Sequence, residues 1–234
     1  MYWDRLELLV GQRAFLNIKN TTVLVIGAGG VGGYAIESLA RSFVQKMIII
    51  DPDIIDITNT NRQLIATTKT IGKNKVDVWE ERIHEINPEC QIIKLKEFIT
   101  KENIDILFQY HPDYIIDACD TIETKKEIIR KCIKHHVKLI SSMGTGNKLD
   151  PTKLKIMDIR KTSYDPIAKI IRKMIKEEKI HQKIMVVCSD EKSLQKNIQK
   201  IPSNSFVPAT AGLLCTSYII NDIINIGEEN EKSK

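Results

Sequence analysis

The sequence predicts an α/β fold, a doubly wound and mostly parallel sheet with a C-terminal extension. Three observations predict it. Short β-branched apolar runs alternate with amphipathic segments of helical spacing through residue 146. A glycine cluster separates the first such run from the first helical segment. Polar and acidic residues follow the runs at the ends where open α/β sheets bind ligands.

Residues 21–26 (TTVLVI) read as a buried strand and 30–43 as the helix after the glycines. Residues 46–51 (KMIIID) form a second strand, 52–70 an irregular polar stretch, and 72–87 an amphipathic helix ended by Pro88. Strands are expected at 90–96, 114–118 and 137–142, with helices at 101–109 and 122–135. Beyond Gly146 the pattern changes: strands at 153–159 and 184–188, a basic helix at 166–178 and a polar loop at 189–205. Residues 208–226 read as a closing helix with Pro208 at its start. No linker separates two domains, so one domain is expected over 1–227. Its nucleotide-binding core spans about 20–146, its substrate-facing part about 147–227, and 228–234 form a frayed tail.

With 42% hydrophobic and 28% charged residues, the 234-residue chain has an ordinary globular balance. No apolar run reaches the roughly 18–20 residues of a membrane span. Asp4, Arg5 and Glu7 interrupt the early apolar stretch, so no signal peptide is read and a cytoplasmic location is expected. The five cysteines include no C-x-x-C pair, which removes the usual zinc spacing. Cys119 and Cys215 are expected to be small buried hydrophobes. The formal charge of +5 is uneven: residues 121–201 carry 20 Lys/Arg against 9 Asp/Glu. That excess suits either a solvated Lys-rich surface or a surface for a polyanion such as RNA, and charge alone does not choose.

Gly27-Ala28-Gly29-Gly30-Val31-Gly32 satisfies G-x-G-x-x-G between a strand and a helix, which makes the fold Rossmann-like. Gly27, Gly29, Gly30 and Gly32 permit the tight turn and let backbone N–H groups approach a phosphate. Asp51 closes the next strand, 24 residues after Gly27, where an acid binds a ribose hydroxyl. NAD, FAD and ATP all use this arrangement. Only about 85 residues follow the sheet, which disfavours the substrate domain of a dehydrogenase without excluding a non-catalytic NAD-binding module.

Asn59, Arg62 and Gln63 follow in the irregular segment, Lys75 begins the next helix, and Asp117 and Asp120 end YIIDACD. This set fits attack of a carboxylate on the α-phosphate of ATP. Arg and Lys stabilise charge on the phosphoryl oxygens and on departing pyrophosphate. An Asp at a strand end can hold Mg²⁺ on the phosphates.

The set Gly-x-Gly-x-x-Gly, Asp51, Asn59-x-x-Arg62-Gln63, Lys75 and Asp120 resembles the ubiquitin-activating-enzyme-like superfamily, which includes adenylyltransferases of thiamine and molybdopterin biosynthesis. The resemblance implies Asp51 on the ATP ribose, Asn59, Arg62 and Lys75 on the phosphates, and Asp120 on the metal. Within that group the chain is most similar to tRNA threonylcarbamoyladenosine dehydratases. The stretches that carry this include Arg5-Leu6-Glu7-Leu8-Leu9, Ser141–Pro151, Lys161-Thr162-Ser163 and Ser205-Phe206-Val207-Pro208. Asp165 and Cys188 stand where relatives often carry other residues, and Cys188 is not read as catalytic.

That resemblance implies an ATP-dependent dehydration of the modified adenosine in tRNA, by way of an acyl-adenylate and ring closure. It gives the basic segment 121–201 a meaning as a tRNA surface, with Lys169, Arg172, Lys173 and Lys176 on one helix. It also implies a homodimer, with Arg5 and Arg13 as candidates to cross its interface, and leaves a sulfur-relay partner open. The alternative acceptor, the C-terminus of a sulfur-carrier protein, is disfavoured by the missing cysteine pairs.

Overall fold

The computed structural model describes residues 3–195 and 199–232, with 226–232 by their backbone alone. Five runs become parallel strands: β1 (Thr22–Ile26), β2 (Lys46–Ile50), β3 (Gln91–Leu95), β4 (Tyr114–Asp117) and β5 (Lys138–Ser142). Two more, β6 (Leu154–Asp158) and β7 (Met185–Ser189), complete a seven-stranded sheet of order β3-β2-β1-β4-β5-β7-β6. β7 joins β5 in parallel, and β6 runs antiparallel on the outer edge.

Alternate residues of each strand feed two apolar layers, as a period of two requires when both faces are covered. Val23, Val25, Met47, Ile49 and Ile116 face helices α3 (Gly32–Arg41), α4 (Lys75–Ile86) and α7 (Phe206–Lys232). Leu24, Ile48 and Ile115 face α5 (Ile122–His135) and α6 (Pro166–Glu177). This is the doubly wound arrangement the sequence predicts.

The sequence reading missed two short helices, α1 (Asp4–Val10) and α2 (Gln12–Asn20), which precede β1. Residues 104–110 form a 3₁₀ turn rather than an α-helix. The closing helix begins at Phe206, two residues before Pro208, and continues to Lys232; residues 233–234 of the expected tail lie outside the described residues. Asn204 supplies the start. Its Oδ1 accepts from the N–H groups of Phe206 (3.1 Å) and Val207 (2.9 Å). Pro208 sits in the first turn, where a missing N–H costs nothing.

Between Phe206 and Asn225, α7 has a mean hydropathy of 1.3, so on length and composition it passes for a membrane span that the sequence reading did not see. Its apolar residues Val207, Ala211, Cys215, Ile219 and Ile223 recur every four positions and are buried in the core. Gly212 lets α7 cross α3 closely, because a Cβ there would lie 2.2 Å from the Val31 carbonyl oxygen. The crossing holds the N-terminus of α3 under the glycine loop. Replacing Asn204 by alanine is expected to destabilise the protein by about 1 kcal/mol, read as a lower denaturant midpoint at unchanged m-value.

Candidate active site

The glycine loop begins where β1 ends. Gly27 has φ +87°, and a Cβ on it would lie 2.8 Å from the Ala118 carbonyl oxygen. Only glycine permits that conformation and that approach to the end of β4. At Gly32 an added Cβ would lie 1.7 Å from the Gly27 carbonyl oxygen. Gly32 is therefore needed to close the loop, and it does not line the cavity above it. Asp51 locks the same loop, its Oδ2 accepting from the Ala28 N–H at 2.7 Å.

The cavity has a volume of about 480 Å³. Gly27, Gly29, Gly30, Asp51, Asn59, Arg62, Gln63, Lys75 and Asp120 all line it. The chain brings Lys75 there by folding back on itself. Ile54 bridges Asn74, Gly72 turns with φ +84°, and the Lys75 N–H donates to the Asp53 carbonyl at 3.1 Å. Lys75 Nζ then meets Asp53 Oδ2 at 2.6 Å and Asp51 Oδ1 at 3.3 Å.

Arg62 and Gln63 are set by a local turn. Asp56 and Asn59 form a reciprocal cap around Ile57–Asn59, and the N–H groups of Arg62 and Gln63 both donate to the Asn59 carbonyl. Arg62 Nη1 donates to the Thr58 carbonyl and to Asn61 Oδ1, each at 2.9 Å, and makes no ion pair among the described residues. Gln63 is 7% exposed, and its Oε1 is a buried side-chain oxygen without a hydrogen-bond partner. Gln63 lines the cavity as a residue, while this oxygen lies buried behind the surface.

Asp120 is exposed at the rim, in the loop after β4. No cluster of three metal-binding side chains occurs among the described residues. A lone carboxylate fits Mg²⁺, which keeps its waters and binds chiefly to substrate phosphates.

Asp117 corrects one expectation. It is fully buried and does not line the cavity. Its Oδ2 accepts from Ser141 Oγ at 2.5 Å and from Lys125 Nζ at 3.1 Å. Its Oδ1 accepts from the Cys119 N–H at 3.2 Å and from Cys119 Sγ at 3.0 Å. Strand alternation aims Asp117 at α5, away from a ligand. Cys119 is likewise half-buried and hydrogen-bonded rather than an inert hydrophobe, and it lines the cavity. Burial, then Asp117, pushes its thiol well above the ordinary range. Burial also raises Cys90, Cys188 and Cys215 to about 12. No thiolate nucleophile stands ready near neutral pH.

Arg172 does not stand free on α6 as expected. Its Nη1 donates to the Thr162 carbonyl at 3.0 Å, while Lys169, Lys173 and Lys176 remain exposed. Asp165 caps α6 through the Ala168 N–H and pairs with buried Lys148. Several cavity residues were not read from the sequence: Asp53, Phe98, Ile99, Thr124, Thr145 and Pro208. Asp53 had a signal in the Asp51-x-Asp53 spacing. Thr145 lay in a stretch used only for resemblance, and Pro208 was read as a helix start and within another such stretch, not as a wall of the site.

A seven-stranded sheet with a glycine loop, a strand-end acid and cations converging at its carboxyl edge defines a nucleotide-binding α/β protein. The chain belongs to the ThiF family, whose model matches residues 4–232. It is similar to the tRNA threonylcarbamoyladenosine dehydratase of Bacillus subtilis, at 43% identity over 95% of this chain and 94% of that protein. The Escherichia coli dehydratase is 35% identical over 73% of this chain and 63% of its own length. The crystal structure of the E. coli dehydratase in complex with ATP superposes with a TM-score of 0.91, at 29% identity, covering 97% of this chain and 95% of that one.

Proposed function

We propose that this protein is an ATP-dependent tRNA threonylcarbamoyladenosine dehydratase that adenylates the threonine carboxylate and lets the modification close on itself. The observation that carries the reading is Arg62, a cation without a carboxylate partner among the described residues, in the wall of a cavity that begins at a phosphate-binding glycine loop.

The chemistry runs in two balanced steps. A carboxylate oxygen bonds to the α-phosphorus of ATP as the bond to pyrophosphate breaks. A neighbouring heteroatom of the same arm then bonds to the acyl carbon, loses its proton and expels AMP. The nucleophile is intramolecular, so proximity supplies much of the acceleration, and no protein thiolate is needed. The N–H groups at the start of α3 receive phosphate oxygens. Arg62 and Lys75 stabilise the charge that develops there. Gln63 lines the nucleotide's cavity, Asp51 accepts from the ribose, and Lys75 reaches the phosphates from its place between Asp51 and Asp53. Asp120 would hold Mg²⁺, which neutralises phosphate charge when bound.

Exposed Lys169, Lys173 and Lys176 lie within the segment that carries the basic excess and would meet tRNA phosphates. On α1, Leu8 and Leu9 are 85% and 80% exposed, beside a groove that also involves Leu213 and Ile220 of α7. Cover by a second copy would bury them, with Arg5 at its border and a C₂ axis between the copies. The reducing cytoplasm suits five free thiols.

Incubation with threonylcarbamoyl-modified tRNA and ATP is expected to yield AMP, pyrophosphate and a nucleoside lighter by one water. An unchanged nucleoside mass would reject the dehydration. AMP formation stimulated by a sulfur-carrier protein and not by tRNA would assign the other acceptor.

A further inference from the structure

The nucleotide cavity opens sideways into a second cavity of about 650 Å³. Arg62, Asp120, Thr145 and Ser203 stand in the wall common to both. From there the second cavity runs past Ser142 and Met143, at the end of β5, to Lys200 and Ile201 at its other side. Its volume falls in the range of sites that enclose a nucleoside-sized ligand.

The rim is built from fixed parts. Asn147, in the left-handed region at φ +58°, donates from its backbone N–H to the Pro202 carbonyl at 2.7 Å. Its side chain donates to the Gln195 carbonyl at 2.8 Å and accepts from the Gln195 N–H at 3.0 Å. Asn61 Nδ2 donates to the Ser203 carbonyl at 3.1 Å. Gly146 passes so close to the rim that a Cβ would lie 2.4 Å from Ile201 Cγ2.

The charges differ in kind. Lys125, in the floor, spends its three donors on Asp117, Ser141 and Ser142 and is neutralised by Asp117. Lys200 is exposed and reaches Asp56 only through space, and Arg62 is held by neutral acceptors. A path from Lys200 to Arg62 therefore favours an anion, and it ends at the wall shared with the nucleotide.

We propose that the second cavity is the acceptor subsite, taking the carboxylate-bearing arm of the modified adenosine while ATP fills the first. The inference rests on the dehydratase reading above and adds the entry route. Two anions have to meet in this reaction. Separate entries keep the carboxylate from crossing the triphosphate, and Arg62, facing both cavities, screens their repulsion at the point of bond formation.

The test compares binding of modified tRNA with binding of the same tRNA lacking the threonylcarbamoyl arm, with a non-hydrolysable ATP analogue present. Phosphate contacts are common to both RNAs, so their ratio isolates the arm. The wild type is expected to prefer the modified tRNA by about tenfold, equivalent to about 1.4 kcal/mol. Lys200→Glu and Ile201→Asp place an anion in the second cavity, and neither residue lines the first. Each is expected to bring the ratio near one with the affinity for the ATP analogue unchanged. A preference that survives both substitutions, or none in the wild type, would overturn the proposal. The dehydratase reading fails by a separate readout, the absence of the dehydrated nucleoside when the wild type is given hydrolysable ATP.

Discussion

Arg62→Ala is expected to slow AMP formation by roughly 10²–10³-fold, the scale for removing one preorganised donor of transition-state charge. The expectation follows from what holds the side chain. Its donors to the Thr58 carbonyl and Asn61 Oδ1 fix the guanidinium without neutralising it. A preorganised and uncompensated cation costs no rearrangement when charge develops. Lys75 is balanced differently, since Asp53 and Asp51 both contact it. Arg62→Lys should recover little, because an ammonium cannot reproduce the planar fork. The measurement is single-turnover release of AMP at saturating ATP and modified tRNA, alongside ATP binding. A fall in kcat with ATP affinity nearly intact places the interaction in the transition state. Wild-type turnover in Arg62→Ala would remove Arg62 from the chemistry.

Most of what positions this site was legible in the sequence because it obeys short-range rules. A strand that ends in glycines and is followed by a helix leaves few choices for Gly27–Gly32, and Asp51 falls at the end of the next strand for the same reason. The cations were legible as a spaced set on connections leaving the carboxyl edge. What failed depends on direction. Asp117 and Asp120 both follow the same run, but Asp117 still belongs to β4 and points with Ile115 toward α5, whereas Asp120 lies beyond the strand at the cavity rim. The alternation was available: residues two apart on a strand share a face.

A second signal lay in α5. Lys125 falls on the stripe of Ile128, Ile129 and Cys132, at the spacings of one buried helical face. A lysine on such a stripe needs an acid opposite it, and Asp117 is that acid. The N-terminal helices were not legible for a different reason. α1 buries no residue, and α2 buries only Phe15 and Ile18, so neither imposes a long apolar period. The edge position of β6 and its antiparallel sense depend on which neighbour remains unpaired, which no local pattern encodes.

The pair that the sequence hid gives the largest expected effect on stability. Lys125 is 1% exposed, and Asp117 is fully buried. Burial is the largest single influence and opposes the ammonium's charge, but the attraction and hydrogen bond of Asp117, added to the attraction of the Cys119 and Cys215 sulfurs, together outweigh it and hold the pKa of Lys125 above its ordinary value. Removing one partner leaves the other as an uncompensated buried charge, so Lys125→Met is expected to cost about 3–5 kcal/mol. That is a large part of the total stability of an ordinary domain. Removing both charges is a different perturbation. In Asp117→Asn with Lys125→Met, the amide keeps the shape of the carboxylate, can donate to Ser141 Oγ, and faces an apolar stem in place of the ammonium. Most of the lost stability should return. Chemical denaturation of both singles and the double variant closes the cycle, and a coupling energy well above the 0.5 kcal/mol of independent sites is expected. Additive losses would show that the two side chains stabilise the protein separately. The cycle also tests how the fold serves the site, because Asp117 Oδ1 holds the Cys119 N–H in the loop that carries Asp120 and abuts Gly27. If that anchoring depends on the carboxylate's charge, the stable double variant still turns over more slowly than the wild type. If shape alone suffices, stability and turnover recover together.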